Sequence, residues 1–326
     1  MSLLEAVRIN VVYEPFRGAE IHSVRDVSLR IEHGEIVGLV GESGCGKSTL
    51  AYALTKMLHS PARFVSGKIF FKGEDITDLS GENLRLHRRK SFALVLQSGM
   101  NALNPVISIE DHFVDVMRAY EKVKFKDIRS KAELLLKSVH LPQYTLERYP
   151  HELSGGMRQR VAIALALALD PQLVIFDEPT TALDVLAQEA VIATIRELQH
   201  SFGFSALLVS HDLGLVLDAT DRVMVMYAGR VVENQNSSTM YKHAQHPYTK
   251  ALLDCYADPR AEEVKLGGIP GSPPDLSSHI DGCSFQPRCN LAEAQCSLNE
   301  PPLYRSEFGH VACFVASQKT KENLNE

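Results

Sequence analysis

Apolar and polar residues alternate along the first 35 residues of the chain. A period of two places one set of side chains on a buried face and the other in solvent, which is typical of antiparallel strands. Gly18 lies between two such stretches and predicts a turn that joins them. The apolar positions of the pattern are Val7, Ile9, Val11, Val27, Leu29 and Ile31.

Continuous apolar runs replace this alternation further along the chain. Ile36–Val40, Leu173–Phe176 and Ala206–Val209 contain no polar residue. Such runs are expected of central parallel strands that are buried on both faces. Further strands are predicted at Phe70–Asp75 and Phe92–Leu96, and a closing hairpin at Val223–Met226 and Gly229–Val232.

Apolar residues at helical spacing predict helices between these strands. Ile107–Tyr120 and Ile128–Val139 are amphipathic and are flanked by polar, proline-containing segments. We therefore expect a helical subdomain, over about residues 98–160, inserted in an α/β framework. The other predicted helices are Ser48–Leu58, Val161–Leu169 and a segment that follows Asp184 and runs through Leu198.

The composition is that of an ordinary globular protein. Of the 326 residues, 45% are apolar and 23% are charged, and the length is enough for one full α/β domain and a smaller one beside it. The formal net charge of −6 implies no general affinity for nucleic acid. Residues 1–10 lack the apolar stretch of a secretory signal, and no apolar window approaches the length of about 18 residues that spans a membrane.

The strongest chemical signal is a glycine-rich stretch directly after the first apolar run. It matches the phosphate-binding pattern G-x-x-x-x-G-K-[ST], between a predicted strand and a predicted helix. Glycines let the loop curl so that its N–H groups point at phosphate oxygens, and the helix N-terminus adds partial positive charge. The lysine would reach the β- and γ-phosphates, and the serine hydroxyl would ligate Mg²⁺. The residues are Gly41, Glu42, Ser43, Gly44, Cys45, Gly46, Lys47, Ser48 and Thr49.

A second anion-binding segment is predicted before the helix at Val161. Ser154, Gly155 and Gly156 could be merely an N-cap and a loose loop. Exposed backbone N–H groups before a helix would nevertheless bind an anion as the first loop does. Two phosphate-binding segments in one chain favour either two nucleotides or one nucleotide held between two copies.

Polar side chains follow several predicted strands, where ligands collect in open α/β sheets. Asp177 and Glu178 are adjacent at the end of an apolar run, so their side chains point to opposite sides. Asp177 would lie near Mg²⁺, and Glu178 could polarise an attacking water. Gln97 and His211 also follow strands, although either could be an ordinary surface or structural residue.

An aromatic residue upstream of the phosphate loop could stack on a nucleotide base. Tyr13 is the candidate, and Phe16 in the same turn is its rival. Stacking needs only an aromatic face, so residue type alone decides little. The alternative is an aromatic side chain that covers the core at a strand end.

These motifs together resemble the ATP-binding subunit of an ABC transporter. The resemblance implies an ABC ATPase domain over residues 1–250, with a P-loop nucleotide hydrolase core, an antiparallel β subdomain and the inserted helical subdomain. It also implies a small irregular cysteine-rich extension over residues 251–326. The motifs that carry it, in the order of that family, are Gly41–Thr49, Gln97, Leu153–Gly156, Leu173–Glu178, Ala182–Asp184 and His211.

The resemblance implies two ATPase subunits that face each other head to tail and trap two ATP molecules. Each ATP would lie between Gly41–Thr49 of one subunit and Ser154–Gly156 of the other. Charge neutralisation and positioning would supply the catalysis. The implied roles are adenine stacking by Tyr13, phosphate contact by Lys47, arrangement of Mg²⁺ by Ser48, Gln97 and Asp177, proton abstraction by Glu178, retention of the γ-phosphate by His211, and a link between the two sites by Asp184.

The last part of the chain resembles the oligopeptide/dipeptide importer branch of that family. This implies ATP-driven uptake of di- or oligopeptides, with oligosaccharides or nickel as alternatives. The implied partners are transmembrane permease subunits, an identical or related second ATPase subunit and, indirectly, an extracytoplasmic solute-binding protein, but no nucleic acid. The implied location is peripheral, at the cytoplasmic face of the membrane. The segments concerned are Leu103–Pro105, His246–Leu253, Gly271–Pro274 and four late cysteines.

The four late cysteines are Cys283, Cys289, Cys296 and Cys313, with spacings of x5, x6 and x16 that lack the paired C-x2-C of common zinc sites. A cytosolic location argues against structural disulfides. Four thiolates suit an iron–sulfur cluster, although the spacing is not a standard ferredoxin pattern. The resemblance to branch members with a [4Fe–4S] cluster favours that assignment, with zinc or unligated cysteines as alternatives.

Two other classes of function stay open. One is a soluble ABC ATPase that serves DNA repair or translation, but the chain has one ATPase cassette and no basic tail. The other is a regulatory or scaffold subunit that binds ATP without hydrolysing it. Glu178 and His211 are both present, which argues against the second class.

Overall fold

The computed structural model of the protein describes residues 2–96, 102–120, 122–181, 183–255 and 268–323. The chain divides into two compact units. The first unit comprises Met1–Glu32, Ile36–Thr77 and Val209–Glu326. The second comprises His33–Glu35 and Asp78–Leu208.

The strands lie in both units. In chain order they are β1 (Ser2–Tyr13), β2 (Ile21–Glu32), β3 (Ile36–Val40), β4 (Ala62–Phe71), β5 (Glu74–Asp75), β6 (Phe92–Val95), β7 (Leu173–Asp177), β8 (Ser205–Ser210), β9 (Arg222–Tyr227), β10 (Arg230–Asn236), β11 (Tyr304–Arg305) and β12 (Gly309–Val311).

The helices follow the same order. They are α1 (Lys47–Leu54), α2 (Gly81–Ser91), α3 (Ile109–Arg118), α4 (Phe125–Ser138), α5 (Gly155–Ala166), α6 (Val185–Phe202), α7 (Leu213–Ala219), α8 (Ser237–His243), α9 (Pro247–Asp254), α10 (Ala294–Leu298) and α11 (Phe314–Asn323). Single 3-10 turns are formed by Gln143–Glu147, Pro150–Glu152 and Gln286–Arg288.

An antiparallel sheet in the order β2-β1-β4-β5 opens the first unit. The alternating pattern of residues 1–35 therefore predicted β1 and β2 and their pairing. The predicted strand at Phe70–Asp75 is wrong in its bounds, because β4 begins at Ala62 and a turn separates it from β5. Lys72 and Gly73 both have positive φ, which ends one strand and reverses the chain.

A second sheet in the first unit has the order β11-β12-β10-β9-β3. Every residue of β3 is buried, as its apolar run predicted, and β3 lies parallel to β9. β9 and β10 form the expected antiparallel hairpin. β12 continues the sheet by pairing with β10, so residues from the end of the chain are attached to the edge of the sheet that contains β3.

Parallel strands and helices make up the second unit. β6 pairs in parallel with β7, and all five residues of β7 are buried. α3 begins at a capping box in which the Ser108 hydroxyl accepts from the N–H of Asp111 and the Asp111 carboxylate accepts from that of Ser108. Ile109, Phe113 and Met117 lie on its buried face at the spacing of an amphipathic helix.

Several predicted helices have different ends in the structure. α1 ends at Leu54 rather than at Leu58, and α4 begins at Phe125 rather than at Ile128. α6 continues to Phe202, where Gly203 at φ 71° forms a left-handed C-cap. No helix within the described ranges is long and apolar enough to cross a membrane.

Candidate functional site

The phosphate-binding loop connects β3 to α1 in the first unit, as the motif predicted. Gly41 and Gly46 have φ of 153° and 102°, values that favour glycine. A Cβ at position 41 would come within 2.1 Å of the Met226 carbonyl oxygen, and one at position 46 within 2.0 Å of the Ser23 carbonyl oxygen. The strands beside the loop thus require glycine at both positions.

Lys47 is the first residue of α1 and is only 4% exposed. Its ammonium group donates to the carbonyl oxygens of Gly41 at 2.7 Å and Glu42 at 3.0 Å. The cation is therefore held inside the loop by the loop's own backbone. The thiol of Cys45 lies beside it, and burial raises the pKa of that thiol.

Tyr13, at the end of β1, is tied to the helix that follows the loop. Its hydroxyl lies 3.1 Å from the Thr49 hydroxyl, which also accepts a hydrogen bond from Ser23 at 3.0 Å. Phe16, the rival aromatic residue, is fully exposed in the bend after β1. The structure thus brings Tyr13, rather than Phe16, into contact with the phosphate-loop helix.

His211 directly follows β8 and is exposed. The next residue, Asp212, caps α7 by accepting from the N–H of Leu215 at 3.1 Å. His211 therefore lies between a strand end and a helix start, the position predicted for it.

The Ser154 segment in the second unit is a helix N-terminus. The Ser154 hydroxyl accepts from the N–H of Met157 at 3.3 Å, and Gly155 and Gly156 are the first residues of α5. The prediction of a helix beginning at Val161 is wrong, because the helix begins six residues earlier, at Gly155. A serine cap offsets the low helix propensity of the two glycines.

The two carboxylates at the end of β7 differ in their surroundings. Asp177 is 1% exposed, whereas Glu178 is partly exposed and has a φ of 46°. Positive φ in a residue with a side chain costs about 1–2 kcal/mol, and such conformations concentrate at functional sites. The Thr181 hydroxyl donates to the Glu178 carboxylate at 3.0 Å and orients it.

Asp184 is the N-cap of α6, where its carboxylate accepts from the N–H of Ala187 at 2.9 Å. Gln97 and Ala182, which belong to two of the six motifs, lie outside the described residues. The donor set expected for Mg²⁺ consists of the Ser48 hydroxyl, the Asp177 carboxylate and the Gln97 amide oxygen, all hard oxygen ligands of the kind this ion prefers.

The four late cysteines converge in the first unit, and none of them forms a disulfide. Burial, followed by the neighbouring thiols of Cys296, Cys313 and Cys289, raises the pKa of Cys283 to about 11. Cys289 and Cys313 likewise have pKa values raised by burial and then by nearby thiols.

Two backbone features hold this cysteine cluster together. The N–H of Cys283 donates to the Cys296 carbonyl at 2.7 Å, and a Cβ at Gly282 would collide with that same oxygen at 2.3 Å. Within the described residues, no three or more His, Cys, Asp or Glu side chains are arranged to hold one metal ion.

Sequence reasoning missed the residues that contact the phosphate loop from the far end of the chain. Arg288 pairs with Glu42, and the Tyr248 hydroxyl accepts from the Glu42 N–H. Tyr227 packs against Tyr248 with ring centroids 4.6 Å apart. The available signals were the position of Arg288 beside Cys289 and that of Tyr248 in the His246–Leu253 segment. Neither indicated a contact with the loop, because residues so distant along the chain share no local pattern.

Comparison with known proteins identifies both parts of the chain. Residues 24–181 match the ABC transporter family, and residues 232–296 match the oligopeptide/dipeptide transporter C-terminal region. A bacterial ABC transporter cassette solved as a dimer superposes with a TM-score of 0.64 and 26% identity, over 72% of this chain and 98% of that one. The cassette fold expected from the six motifs is confirmed.

Two curated relatives match along nearly their whole length. The dipeptide transport ATP-binding protein of Caldanaerobacter subterraneus is 39% identical over 92% of this chain and 93% of its own. The oligopeptide transport ATP-binding protein of Bacillus subtilis is 36% identical over 94% of this chain and 87% of its own. The chain therefore belongs to the family of ABC transporter ATP-binding proteins, within its oligopeptide/dipeptide branch.

Proposed function

We propose that this protein is the ATP-hydrolysing subunit of an importer for di- and oligopeptides. The observation that carries the proposal is that one chain joins an ABC ATPase, matched over residues 24–181, to the oligopeptide/dipeptide transporter C-terminal region, matched over residues 232–296. Relatives whose names specify dipeptide and oligopeptide transport match over more than nine-tenths of this chain.

The chemical roles follow from the side chains. Lys47 neutralises phosphate charge, and its two bonds to loop carbonyls keep the ammonium group aimed into the loop. Glu178 accepts a proton from the attacking water, with Thr181 orienting its carboxylate. Mg²⁺ would neutralise charge on the β- and γ-phosphates when bound by Ser48 and Asp177, with Gln97 acting directly or through water.

His211 would contact the γ-phosphate and Tyr13 the adenine ring. An exposed histidine between a strand end and a capped helix can reach a ligand without rearranging the core. Tyr13 has its hydroxyl bound to Thr49, so its ring is held beside the helix that follows the phosphate loop. Both assignments rest on placement and on side-chain chemistry.

The working unit would be a dimer with two ATP molecules. Gly41–Thr49 of one subunit would face Ser154–Gly156 of the partner subunit, and the N-terminus of α5 would add partial positive charge to the phosphate site. Asp184 would link the two sites across the interface. The second subunit is either another copy of this chain or a related ATPase.

The protein would lie at the cytoplasmic face of the membrane, bound to transmembrane permease subunits. The helices between about residues 98 and 160 would form an inserted helical subdomain that, with Gln97, transmits ATP-driven closure to the permease. An extracytoplasmic solute-binding protein would deliver the peptide.

Uptake of a labelled dipeptide tests the proposal. Cells that lack their own copy of this subunit would express the wild-type chain, Glu178→Gln or the control Glu189→Gln at matched levels. Glu189 is exposed on α6, and its replacement by glutamine removes the same negative charge as Glu178→Gln. We expect uptake with wild type and the control, and at least about a tenfold lower rate with Glu178→Gln, because import needs hydrolysis.

Other outcomes of this assay change the assignment in defined ways. Dipeptide uptake that is identical in all three strains would overturn the peptide assignment. If uptake of an oligosaccharide or of nickel depends on Glu178 instead, the importer assignment holds with a different solute.

For the C-terminal extension we propose a [4Fe–4S] cluster held by Cys283, Cys289, Cys296 and Cys313. Four thiols without disulfide bonds are a suitable donor set, and burial followed by neighbouring thiols raises the pKa values of Cys283, Cys289 and Cys313. A bound cation would reverse that effect by stabilising the thiolates. The cluster would have a structural role, because the short elements α10, β11 and β12 bury few apolar residues of their own.

Metal analysis after anaerobic purification tests this assignment. We expect about four iron and four sulfide per chain in the wild type, and loss of both in Cys296→Ser. Cys255→Ser is the matched control, because Cys255 is exposed on the segment after α9 and outside the set. Stoichiometric zinc without iron, or iron that survives in Cys296→Ser, would contradict the proposal.

A further inference from the structure

Arg288 lies on the short turn Gln286–Arg288, directly before Cys289, and is bound to the phosphate loop. Its guanidinium group forms a two-pronged pair with the Glu42 carboxylate, with Nη1 at 2.6 Å from Oε2 and Nη2 at 3.0 Å from Oε1. The Arg288 side chain is 4% exposed and that of Glu42 25%. Bidentate pairs of this kind fix orientation as well as contributing energy.

The remaining donors of Arg288 are held by the extension and the core sheet. Nε donates to the Pro270 carbonyl at 2.7 Å and Nη2 to that of Ile269 at 3.3 Å. Nη1 also donates to the Tyr227 hydroxyl, at the end of β9, at 3.3 Å. The guanidinium plane is therefore fixed before it reaches the loop, so that Glu42 meets a pre-organised partner.

Glu42 is fixed at its backbone as well as at its carboxylate. Its N–H donates to the Tyr248 hydroxyl at 2.8 Å, and Tyr248 is fully buried. The Tyr248 ring packs against Phe285 with centroids 5.4 Å apart, and Phe285 lies in the same extension as Arg288. Two separate contacts from the C-terminal part of the chain thus determine where Glu42 lies.

The position of Glu42 decides the position of the catalytic lysine. The carbonyl oxygen of Glu42 is one of the two that hold the Lys47 ammonium group, and Gly41 supplies the other. A shift of Glu42 would therefore move the lysine and the N–H groups beside it. Bound phosphate would then lose part of the charge-assisted hydrogen bonding that holds it in the loop, so that the affinity for ATP would fall.

We propose that Arg288 is a positioning residue for the phosphate-binding loop of its own subunit, acting through Glu42. The C-terminal extension would thereby contribute to the ATP site through its contact with Glu42. The inference rests on ATP binding and not on the identity of the solute, so it can fail while the importer assignment stands.

A second ion pair provides a matched control. Glu300, also in the extension, pairs with Arg230 of β10 at 2.5 Å and with Arg25 of β2 at 3.3 Å. This pair also connects the extension to the first unit, with the Arg230 side chain 23% exposed and that of Glu300 26% exposed, but it does not contact the loop. Arg230→Gln therefore removes a comparable attachment and leaves Glu42 in place.

The experiment measures the Kd of the full-length chain for MgATP, together with KM and kcat for hydrolysis and the thermal midpoint without nucleotide. For Arg288→Gln we expect Kd and KM to rise about tenfold, corresponding to about 1.4 kcal/mol, with kcat at saturating ATP changed by less than about threefold. Arg288→Lys keeps the positive charge but cannot form the bidentate pair, so its Kd should lie between those of the wild type and Arg288→Gln. Arg230→Gln should change Kd by less than about twofold.

Glu42→Gln removes the same ion pair by changing its partner in the loop. This variant replaces Arg288→Gln in the experiment if Arg288→Gln does not fold. It should raise Kd as Arg288→Gln does, and the double variant should be no worse than either single one, because both remove one interaction. An unchanged Kd in folded Arg288→Gln or Glu42→Gln would overturn the proposal. So would equal rises in Arg288→Gln and Arg230→Gln, since the extension would then act only on stability.

Discussion

Glu178→Gln should reduce ATP hydrolysis by the assembled transporter at least about a hundredfold while leaving the Kd for MgATP within about threefold of the wild-type value. Glutamine keeps the size of the side chain and can still accept from the Thr181 hydroxyl, which lies 3.0 Å from the carboxylate. It cannot take a proton from water, and loss of a general base typically costs about 10²–10⁴ in rate. Phosphate release and equilibrium nucleotide binding provide the two measurements.

Glu189→Gln controls for the loss of one negative charge, because Glu189 is exposed on the neighbouring helix α6. Its hydrolysis rate should equal that of the wild type. Near-normal hydrolysis in Glu178→Gln would remove Glu178 as the base. Lost binding together with lost hydrolysis would instead show that the strained backbone at this position, with a φ of 46°, had collapsed.

Lys47→Ala should weaken MgATP binding about 10- to 100-fold and reduce hydrolysis at least as much. Lys47 is 4% exposed, so its charge would act on bound phosphate with little screening by water. Loss of a hydrogen bond to a charged group costs about 1.5–3 kcal/mol, which corresponds to this range of affinity. Titration calorimetry on the full-length chain measures the change.

Lys68→Ala is the matched control for this variant. Lys68 lies on the exposed face of β4, where its side chain is 63% exposed and pairs with Asp75. The pair should contribute less than about 1 kcal/mol and nothing to nucleotide affinity. Unchanged MgATP binding in Lys47→Ala, with the thermal midpoint preserved, would contradict the assignment of the loop.

Local patterns were sufficient to predict the central strands and the phosphate loop. The continuous apolar runs at Ile36–Val40 and Leu173–Phe176 are both fully buried strands. A strand buried on both faces excludes polar residues along its length, so its signal does not depend on the rest of the fold. The glycines of the loop are equally informative, because the backbone of neighbouring strands leaves no room for a Cβ at Gly41 and Gly46.

Element ends were less predictable, because they depend on caps and on neighbouring strands. The two glycines at the start of α5 lower helix propensity, and the serine cap that reverses this effect acts through a single hydrogen bond. The first half of β4 is mostly exposed, so it has no apolar pattern and takes its structure from pairing with β1. β12 is only three residues long, and its hydrogen-bonded pairing with β10 stabilises it as a strand.

The contacts of the extension with the phosphate loop had no counterpart in the sequence analysis. Arg288 and Glu42 are 246 residues apart, and neither segment contains a pattern that predicts the pair. The same extension is also attached through the pairing of β12 with β10 and through the packing of Phe285 against Tyr248. Long-range polar contacts of this kind become visible only when the three-dimensional structure is known.

ATP-dependent accumulation of a labelled dipeptide in vesicles tests the central claim most directly. The reconstituted transporter would contain this chain, its permease partners and the solute-binding protein. We predict accumulation with MgATP, and none with a non-hydrolysable ATP analogue or with Glu178→Gln. ATP hydrolysis that depends on Glu178 but is accompanied by no solute accumulation would contradict the assignment of this protein as an importer ATPase.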